Sequence, residues 1–458
     1  MKYEIHLRRQ MTRVSRTSPP RAAASAGVRL GERLRQLRVA AGLTQSELAG
    51  SRFSKEYVSQ IERGKTRPAR ETVEWLAERL GVDADFLANG VTADQRGRVE
   101  AALARGEALT EGNREEEAVA AFEEIRTAVL ATGLPELEVR LLSGESQARS
   151  LMGEVRQATV LLNRARVLAE GAEFSDVERA DVLFRLGVCR YKLSSIQTSI
   201  GLFNEALTLA EGSGLPCDQL RSSILGWRSR CYRRQRDLEA AREDVERALE
   251  LAESLNDPRE LANIFFQASL VADREGHWVL ARKYAERAKG YYEELADRMN
   301  VGRLLNNLGT LNFLLGKPDE AIDFLKNAFR AALDVGNDAD AGRAVSSLAH
   351  VHLHTGDPAL AEETAHEALR ILDSRVDFID AIGSAQLILG RALVQQNRLE
   401  EAERWLTLAD QSFEQFSSIS HRASVWVAQG DLAARRGEDR KAALLYRKAA
   451  EALQDVRF

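Results

Sequence analysis

An all-α protein in two parts is the fold class this sequence predicts. A small domain of five helices precedes a long array of helix pairs. Two observations predict it. Apolar residues recur at helical spacing between helix-start and helix-stop residues over about residues 30–88. From about residue 98, one pattern of small and bulky residues repeats nine times with a period of 40 to 42.

The first helix is expected over 30–41, with Leu30, Leu34, Leu37 and Ala41 at helical spacing. Gly42 follows as a residue just past a helix end, where a left-handed backbone suits Gly. Thr44 caps a short second helix, and Glu47, three residues on, completes a capping box. Ser54 caps a third helix over 55–63 that stops at Gly64. Its Val58 and Ile61 face inward, which leaves Lys55, Glu56, Ser59, Gln60 and Arg63 outside. A fourth helix over 69–80 buries Val73, Leu76, Ala77 and Leu80, and a short fifth runs over 83–87.

The stretches LRQLRVAAGLTQSELA, VSQIERGKTRPARETVEWLAERLGV and DFLANG resemble the XRE family, the Cro and phage-repressor type of helix-turn-helix, over about residues 28–90. The resemblance implies a lambda-repressor-like domain whose third helix enters the DNA major groove. It makes Lys55, Glu56 and Gln60 the base readers. Gln suits adenine at two atoms, Lys suits guanine, and Glu accepts from cytosine. Phosphate contacts fall to Gln45, Ser59, Arg63, Lys65, Thr66 and Arg67, which position the domain without specifying sequence. Arg38 and Glu62 match the family's internal ion pair. One departure is the turn, where Gly50-Ser51-Arg52-Phe53 replaces the usual Gly and β-branched residue. Phe53 is expected to fill the core there.

Charge divides along the chain. Residues 1–90 hold 17 basic and 10 acidic side chains, or +7; the whole chain is −5, which leaves −12 for residues 91–458. A basic end suits DNA, where neutralised phosphates supply much of the affinity. The acidic remainder is free for other partners. Residues 1–27, with Arg8, Arg9, Arg13, Arg16 and Arg21, read as a disordered basic tail, as an arm that adds DNA affinity, or as upstream sequence if translation starts at Met11. They contain no apolar run of a signal peptide, and no stretch of the chain has the length of a membrane span. The three cysteines, Cys189, Cys217 and Cys231, show no CxxC spacing and suit a reducing cytoplasm. Cys189 and Cys231 read as core residues. Cys217, in the loop LPCDQ, is the one position where an accessible redox-active thiol is considered.

The array follows a linker at 91–97 and occupies 98–458. Each unit has a small residue, a second small residue twelve on, a bulkier one sixteen on, and usually a small one nineteen on. Gly309, Ala321, Leu325 and Ala328 show it most cleanly. Turns are expected at Gly112-Asn113, Gly153, Gly276, Gly316-Lys317-Pro318, Gly356-Asp357-Pro358, Asn397 and Gly437. The segment LLNNLGTLNFLLGKPDEAIDFLKNAFRAAL resembles a tetratricopeptide repeat, and the longer period resembles the long-helix variant of bacterial signal-sensing regulators. The usual period is 34. The resemblance implies a right-handed α-solenoid whose first helices line a groove.

Read onto this chain, the groove positions are Arg230, Arg233, Asn263, Phe266, Arg303, Asn306, Phe313, Arg343 and Arg391. Arg can clamp a carboxylate with two bonds, and Asn can bond a peptide main chain through both donor and acceptor. An acidic or free-carboxylate peptide fits. The layout of the two parts resembles peptide-responsive quorum-sensing regulators, which implies a dimeric, cytoplasmic transcriptional regulator whose array senses a peptide or protein. The rival reading is an interaction scaffold with a vestigial helix-turn-helix. No cofactor, membrane partner or enzyme activity is expected. LLGKPDEA lacks the spacing of a phosphate loop, HEALR lacks the second His of a zinc protease, and no Gly-x-Ser-x-Gly occurs. His350 and His354 share a helix face but have no third ligand for a metal. Trp227, Trp278, Trp405 and Trp426 are expected to pack between helices.

Overall fold

A computed structural model of the chain describes residues 26–90, 92–372, 378–415 and 419–454. The basic tail lies outside the described residues, apart from the start of the first helix. Among the described residues there are 23 α-helices and no strand. The chain falls into two compact units, one ending at Phe174 and one beginning at Ser175.

The first unit opens with α1 (Ala26–Ala40), α2 (Gln45–Ala49), α3 (Lys55–Glu62), α4 (Arg70–Leu80) and α5 (Ala84–Asn89). The local rules for helix ends hold. Gly42 takes φ 70°. Thr44 and Glu47 form the reciprocal capping box, and the Ser54 hydroxyl accepts from the Tyr57 amide at 3.1 Å. Two helices start one residue later than expected, because Ala69 and Asp83 sit at N-cap positions. Asp83 accepts from the Phe86 N–H at 2.9 Å, which suits its short acidic side chain better than a helix interior does. Leu34, Leu48, Val58, Ile61, Leu76 and Leu87 form the closed core, with Leu80 half-buried at its rim. Phe53 fills the gap behind the unusual turn, its ring edge-on to Trp75 at 5.1 Å.

Hairpins follow at once. α6 (Ala93–Glu111) pairs with α7 (Glu115–Thr132), and α8 (Pro135–Leu151) with α9 (Val155–Ala169). Most of the expected linker is therefore the first turn of α6, which Thr92 and Gln95 close with a second capping box. The second unit holds seven hairpins: α10 (Asp176–Lys192) with α11 (Ile196–Gly212), α12 (Asp218–Gln235) with α13 (Leu238–Leu255), α14 (Pro258–Arg274) with α15 (Trp278–Glu294), α16 (Arg298–Leu314) with α17 (Pro318–Asp334), α18 (Asp338–His354) with α19 (Pro358–Leu372), α20 (Ile379–Gln395) with α21 (Leu399–Gln415), and α22 (Ile419–Arg435) with α23 (Asp439–Gln454).

The repeated residues are the hairpin contacts. A Cβ on Gly106, Gly187, Gly309, Gly390 or Gly430 would lie 2.6–2.7 Å from the side chain sixteen residues on: Phe122, Phe203, Leu325, Leu406 or Tyr446. Where the first position carries a Cβ, the pairs are Ser146 with Leu162, Ser229 with Val245, Ser269 with Ala285, and Ala349 with Ala365.

The nine turns share one hydrogen-bond pattern. The N–H of Arg114, Glu154, Ser195, Asp237, His277, Lys317, Asp357, Arg398 and Glu438 each donates five residues back, at 2.8–3.0 Å. This is the long bond of a Schellman ending, which needs a left-handed residue before it. Asn113, Gly153, Gly276, Gly316, Gly356, Asn397 and Gly437 supply it where expected. Two turns carry no Gly or Asn there. Ser194 takes φ 60° and Arg236 φ 64°, a conformation in which a Cβ crowds the following carbonyl. Arg236→Gly is therefore expected to stabilise the second unit by about 0.5–1 kcal/mol, measured as a rise in the urea midpoint at unchanged slope.

In the second unit, first helices of successive hairpins contact each other more closely than second helices do, so the first helices line the inner side. α14 and α16 are the exception and stand apart. Cys189 and Cys231 are core residues, as expected. Cys217 is also buried, its thiol bonded to the Ala210 carbonyl at 3.2 Å. Burial raises its pKa above the ordinary thiol value and disfavours the reactive thiolate. Trp426 is buried, Trp405 packs on the core and Trp227 packs against Tyr191. Trp278 departs from the expectation: as the first residue of α15 it sits beside the turn and is exposed. No helix of the described residues is long and apolar enough to cross a membrane.

Candidate functional site: an exposed helix and an inner groove

α3 is held by its buried face. Val58 and Ile61 are fully shielded, and Gly31 lets α1 approach closely, since a Cβ there would lie 2.3 Å from the Ile61 carbonyl oxygen. A buried polar node fixes the C-terminal end of α3. Arg38 Nε donates to Glu62 at 2.6 Å, and another nitrogen of the same guanidinium donates to the Leu43 carbonyl at 2.8 Å. Gln45 Nε2 donates to the second Glu62 oxygen at 2.8 Å. One carboxylate thus ties α1, α2 and α3 together. Its hydrogen bond holds the Arg38 guanidinium above the usual arginine pKa.

The side chains expected to read bases lie on the open face of α3. Lys55, Glu56 and Gln60 are exposed, with Glu56 and Gln60 one turn apart on one face. Arg63, Lys65 and Arg67 are exposed beyond the helix end, and Ser59 and Thr66 are half-buried. Two features were not legible in the sequence. The Thr66 hydroxyl donates to Gln60 Oε1 at 3.0 Å, so the loop after α3 orients the Gln60 amide. Gln45, expected on a phosphate, gives one amide hydrogen to Glu62 because the carboxylate lies directly beneath it.

The inner face of the second unit divides the expected groove residues. Phe266, Arg303, Asn306 and Arg343 meet around a pocket of about 340 Å³ where α14 and α16 part. Asp340 lies between the two arginines, 2.7 Å from Arg303 and 2.6 Å from Arg343. Asn307 bridges the gap to Ser269 at 2.9 Å, and the Asn306 side-chain oxygen is buried without a protein partner. Asp273, Asn307, Thr310 and Asp340 also line this pocket, unforeseen from the sequence. The signal for Asp273 was available: it sits one repeat from the expected groove residues Arg233 and Phe313.

The others lie elsewhere. Asn263 accepts from the Tyr292 hydroxyl at 2.7 Å, so its oxygen is engaged within the fold. Arg391 lines a second pocket, of about 550 Å³, with His354, Asp431, Arg435 and Tyr446. Phe313 meets the edges of His350 and His354, whose rings are 4.2 Å apart. Burial, with His354 and Arg391 nearby, lowers the His350 pKa to about 4, so it is neutral at pH 7. No group of three His, Cys, Asp or Glu suited to a metal occurs among the described residues. Arg230 and Arg233 line neither pocket.

Comparison with known proteins gives these arrangements names. Residues 29–89 match the family described as a helix-turn-helix domain. Residues 222–255 and 300–374 match tetratricopeptide repeat families. Over 65 residues the chain is 42% identical to the HTH-type transcriptional regulator DdrOP3 of Deinococcus deserti, a match covering 14% of this chain and 50% of that protein. The chain thus spans about half the length of the curated relative it matches. Among solved structures, a Rap protein complexed with Competence and Sporulation Factor is similar in fold. Its TM-score is 0.62 at 15% identity, over 79% of this chain and 98% of that one. The apo form of the quorum sensor NprR from B. thuringiensis is similar at a TM-score of 0.56 and 13% identity, over 78% of this chain and 99% of that one.

Proposed function

We infer, from a helix-turn-helix domain and tetratricopeptide repeats in one chain, that the protein is a DNA-binding transcriptional regulator whose array senses a peptide or protein. The observation that carries this reading is α3: its apolar face is locked down by the Glu62 node, and its outer face carries Lys55, Glu56 and Gln60 free of any core role. A surface left polar and basic on a rigidly held helix suits base edges and phosphates. Residues 28–90 act as the DNA-binding domain and the hairpins as the sensor. Lys65, Arg67 and Arg63, with Ser59, Thr66 and the remaining Gln45 amide hydrogen, face the phosphates. The working form is a homodimer on two half-sites about 34 Å apart, or a multiple of that spacing. The groove ligand is a peptide or protein segment. The pocket around Asp340 offers it both charge signs and the unpaired Asn306 oxygen.

The test is recovery of genomic fragments by the full chain at near-physiological salt, beside Lys55→Ala/Gln60→Ala. A few sites are expected to be enriched by the wild type. The double variant is expected to lose about 10²- to 10⁴-fold of its preference for them, from about 1–3 kcal/mol per base contact. Enrichment indifferent to the substitutions would sink the base-reading assignment. Adding a peptide fraction tests the sensor reading separately, through a change in the fragments recovered.

A further inference from the structure

Many arginines of the second unit are paired with carboxylates. Arg228 bonds Asp244 through two nitrogens at 2.6 and 2.8 Å. Arg303 and Arg343 share Asp340, and Arg398, Arg422 and Arg436 reach Glu362, Asp410 and Glu403. Arg230 and Arg233, one turn apart on α12, are not among them. Each is half-buried with its Nε shielded and without a hydrogen-bond partner. No described carboxylate pairs with either. The Arg230 guanidinium lies 4.1 Å from the centre of the Trp227 ring, which braces one face of it, and Trp227 is itself packed edge-on against Tyr191.

Two acids stand near enough to be felt and still do not close the pairs. Glu260 is turned to the hydroxyls of Ser222 at 2.8 Å and Ser223 at 3.2 Å. Asp273 faces the pocket between α14 and α16. Burial pushes both guanidinium pKa values below the ordinary arginine range, and the like charges of Arg303 and Arg274 add to this. A guanidinium stays protonated even so. Two shielded, like-charged groups without a direct ion pair are unfavourable in an isolated protein. An arriving anion relieves that cost, and a planar fork of donors is what a carboxylate or phosphoryl group accepts bidentately.

We propose that Arg230 and Arg233 form an oxyanion-binding subsite on the inner face of α12, which receives a carboxylate or phosphoryl group of the array's ligand. This rests on the reading of the array as a sensor. It goes further in placing the ligand's anion at these two residues, outside both pockets.

Thermal unfolding of the full chain tests it, with sodium phosphate, sodium succinate, and sodium chloride at matched ionic strength. Phosphate or succinate is expected to raise the wild-type Tm saturably by roughly 2–4 °C over chloride. A rise with phosphate alone assigns a phosphoryl group, and one with succinate alone a carboxylate. Arg230→Met/Arg233→Met is expected to melt above the wild type in chloride and to lose the anion-specific rise. A merely structural pair would instead lower the Tm. Arg447→Met, which removes an exposed arginine on α23 paired with Glu451, is expected to keep the rise. No rise in the wild type over chloride, or a rise that survives in the Met/Met variant, overturns the proposal. An absent rise in the wild type overturns the proposal even if a variant folds poorly. Failure here leaves the sensor reading standing, because the peptide-fraction arm of the DNA experiment does not depend on these two residues.

Discussion

Replacing Glu62 by alanine is expected to destabilise the α1–α5 region by about 3–5 kcal/mol and to abolish specific DNA binding. The Glu62 side chain is only 4% exposed and that of Arg38 12%. Removing the carboxylate strands the Arg38 cation and the Gln45 amide, both aimed at an oxygen that is no longer there. The loss is larger than that of the exposed Arg70–Glu74 pair, because water solvates both ends of the latter. Hydrogen exchange of the amides of α1 to α3 measures it. Protection is expected to collapse there while the second unit keeps its own. Glu62→Gln keeps the shape and one acceptor, and is expected to fall between the alanine variant and the wild type. If Glu62→Ala left exchange and DNA affinity unchanged, the node would have no role in holding the reading helix.

The second large effect concerns the contact between a small residue and its counterpart sixteen on. Gly309→Ala places a Cβ 2.6 Å from Leu325 Cγ and 3.2 Å from the Ala321 carbonyl oxygen. It is expected to cost about 1–3 kcal/mol through overpacking. Leu325→Ala removes a fully buried side chain and is expected to cost about 2–5 kcal/mol. The double variant recreates the Ala–Ala pair that Ala349 and Ala365 form natively one repeat later. It is therefore expected to cost less than the sum of the two, with a coupling energy of about 1 kcal/mol or more. Urea unfolding of the four proteins gives the cycle. Strict additivity would mean that the two positions do not share one packing volume.

Both predictions rest on contacts that the sequence only partly announces. The capping box of Thr44 and Glu47 was legible because donor and acceptor lie within four residues of chain. Gln45 was not, because its partner Glu62 is seventeen residues away, on another helix. The hairpin turns were legible where Gly or Asn occupied the left-handed position. They were missed at Ser194 and Arg236, where neither residue type favours that conformation and the Schellman bonds impose it. Cys217 looked like an exposed loop residue by its neighbours, yet packing turned its thiol inward against Ala210.

The groove shows the same division most plainly. Arg230, Arg233, Arg303 and Arg343 are alike in type and in place on the inner helices. The sequence therefore put them in one set. The structure separates them by what lies opposite: Asp340 reaches both Arg303 and Arg343, and no carboxylate of the described residues pairs with Arg230 or Arg233. By itself, the sequence determined the all-α class, the five-helix start, the nine hairpins and the face that α3 presents. Each of these follows from propensities and spacings within a helix or a single turn. Only the tertiary structure decided which buried charges are satisfied, which groove residues share a pocket and which small residue meets which bulky one. Those energies depend on side chains brought together from helices far apart in the chain, and on a dielectric that exists only once the helices have packed.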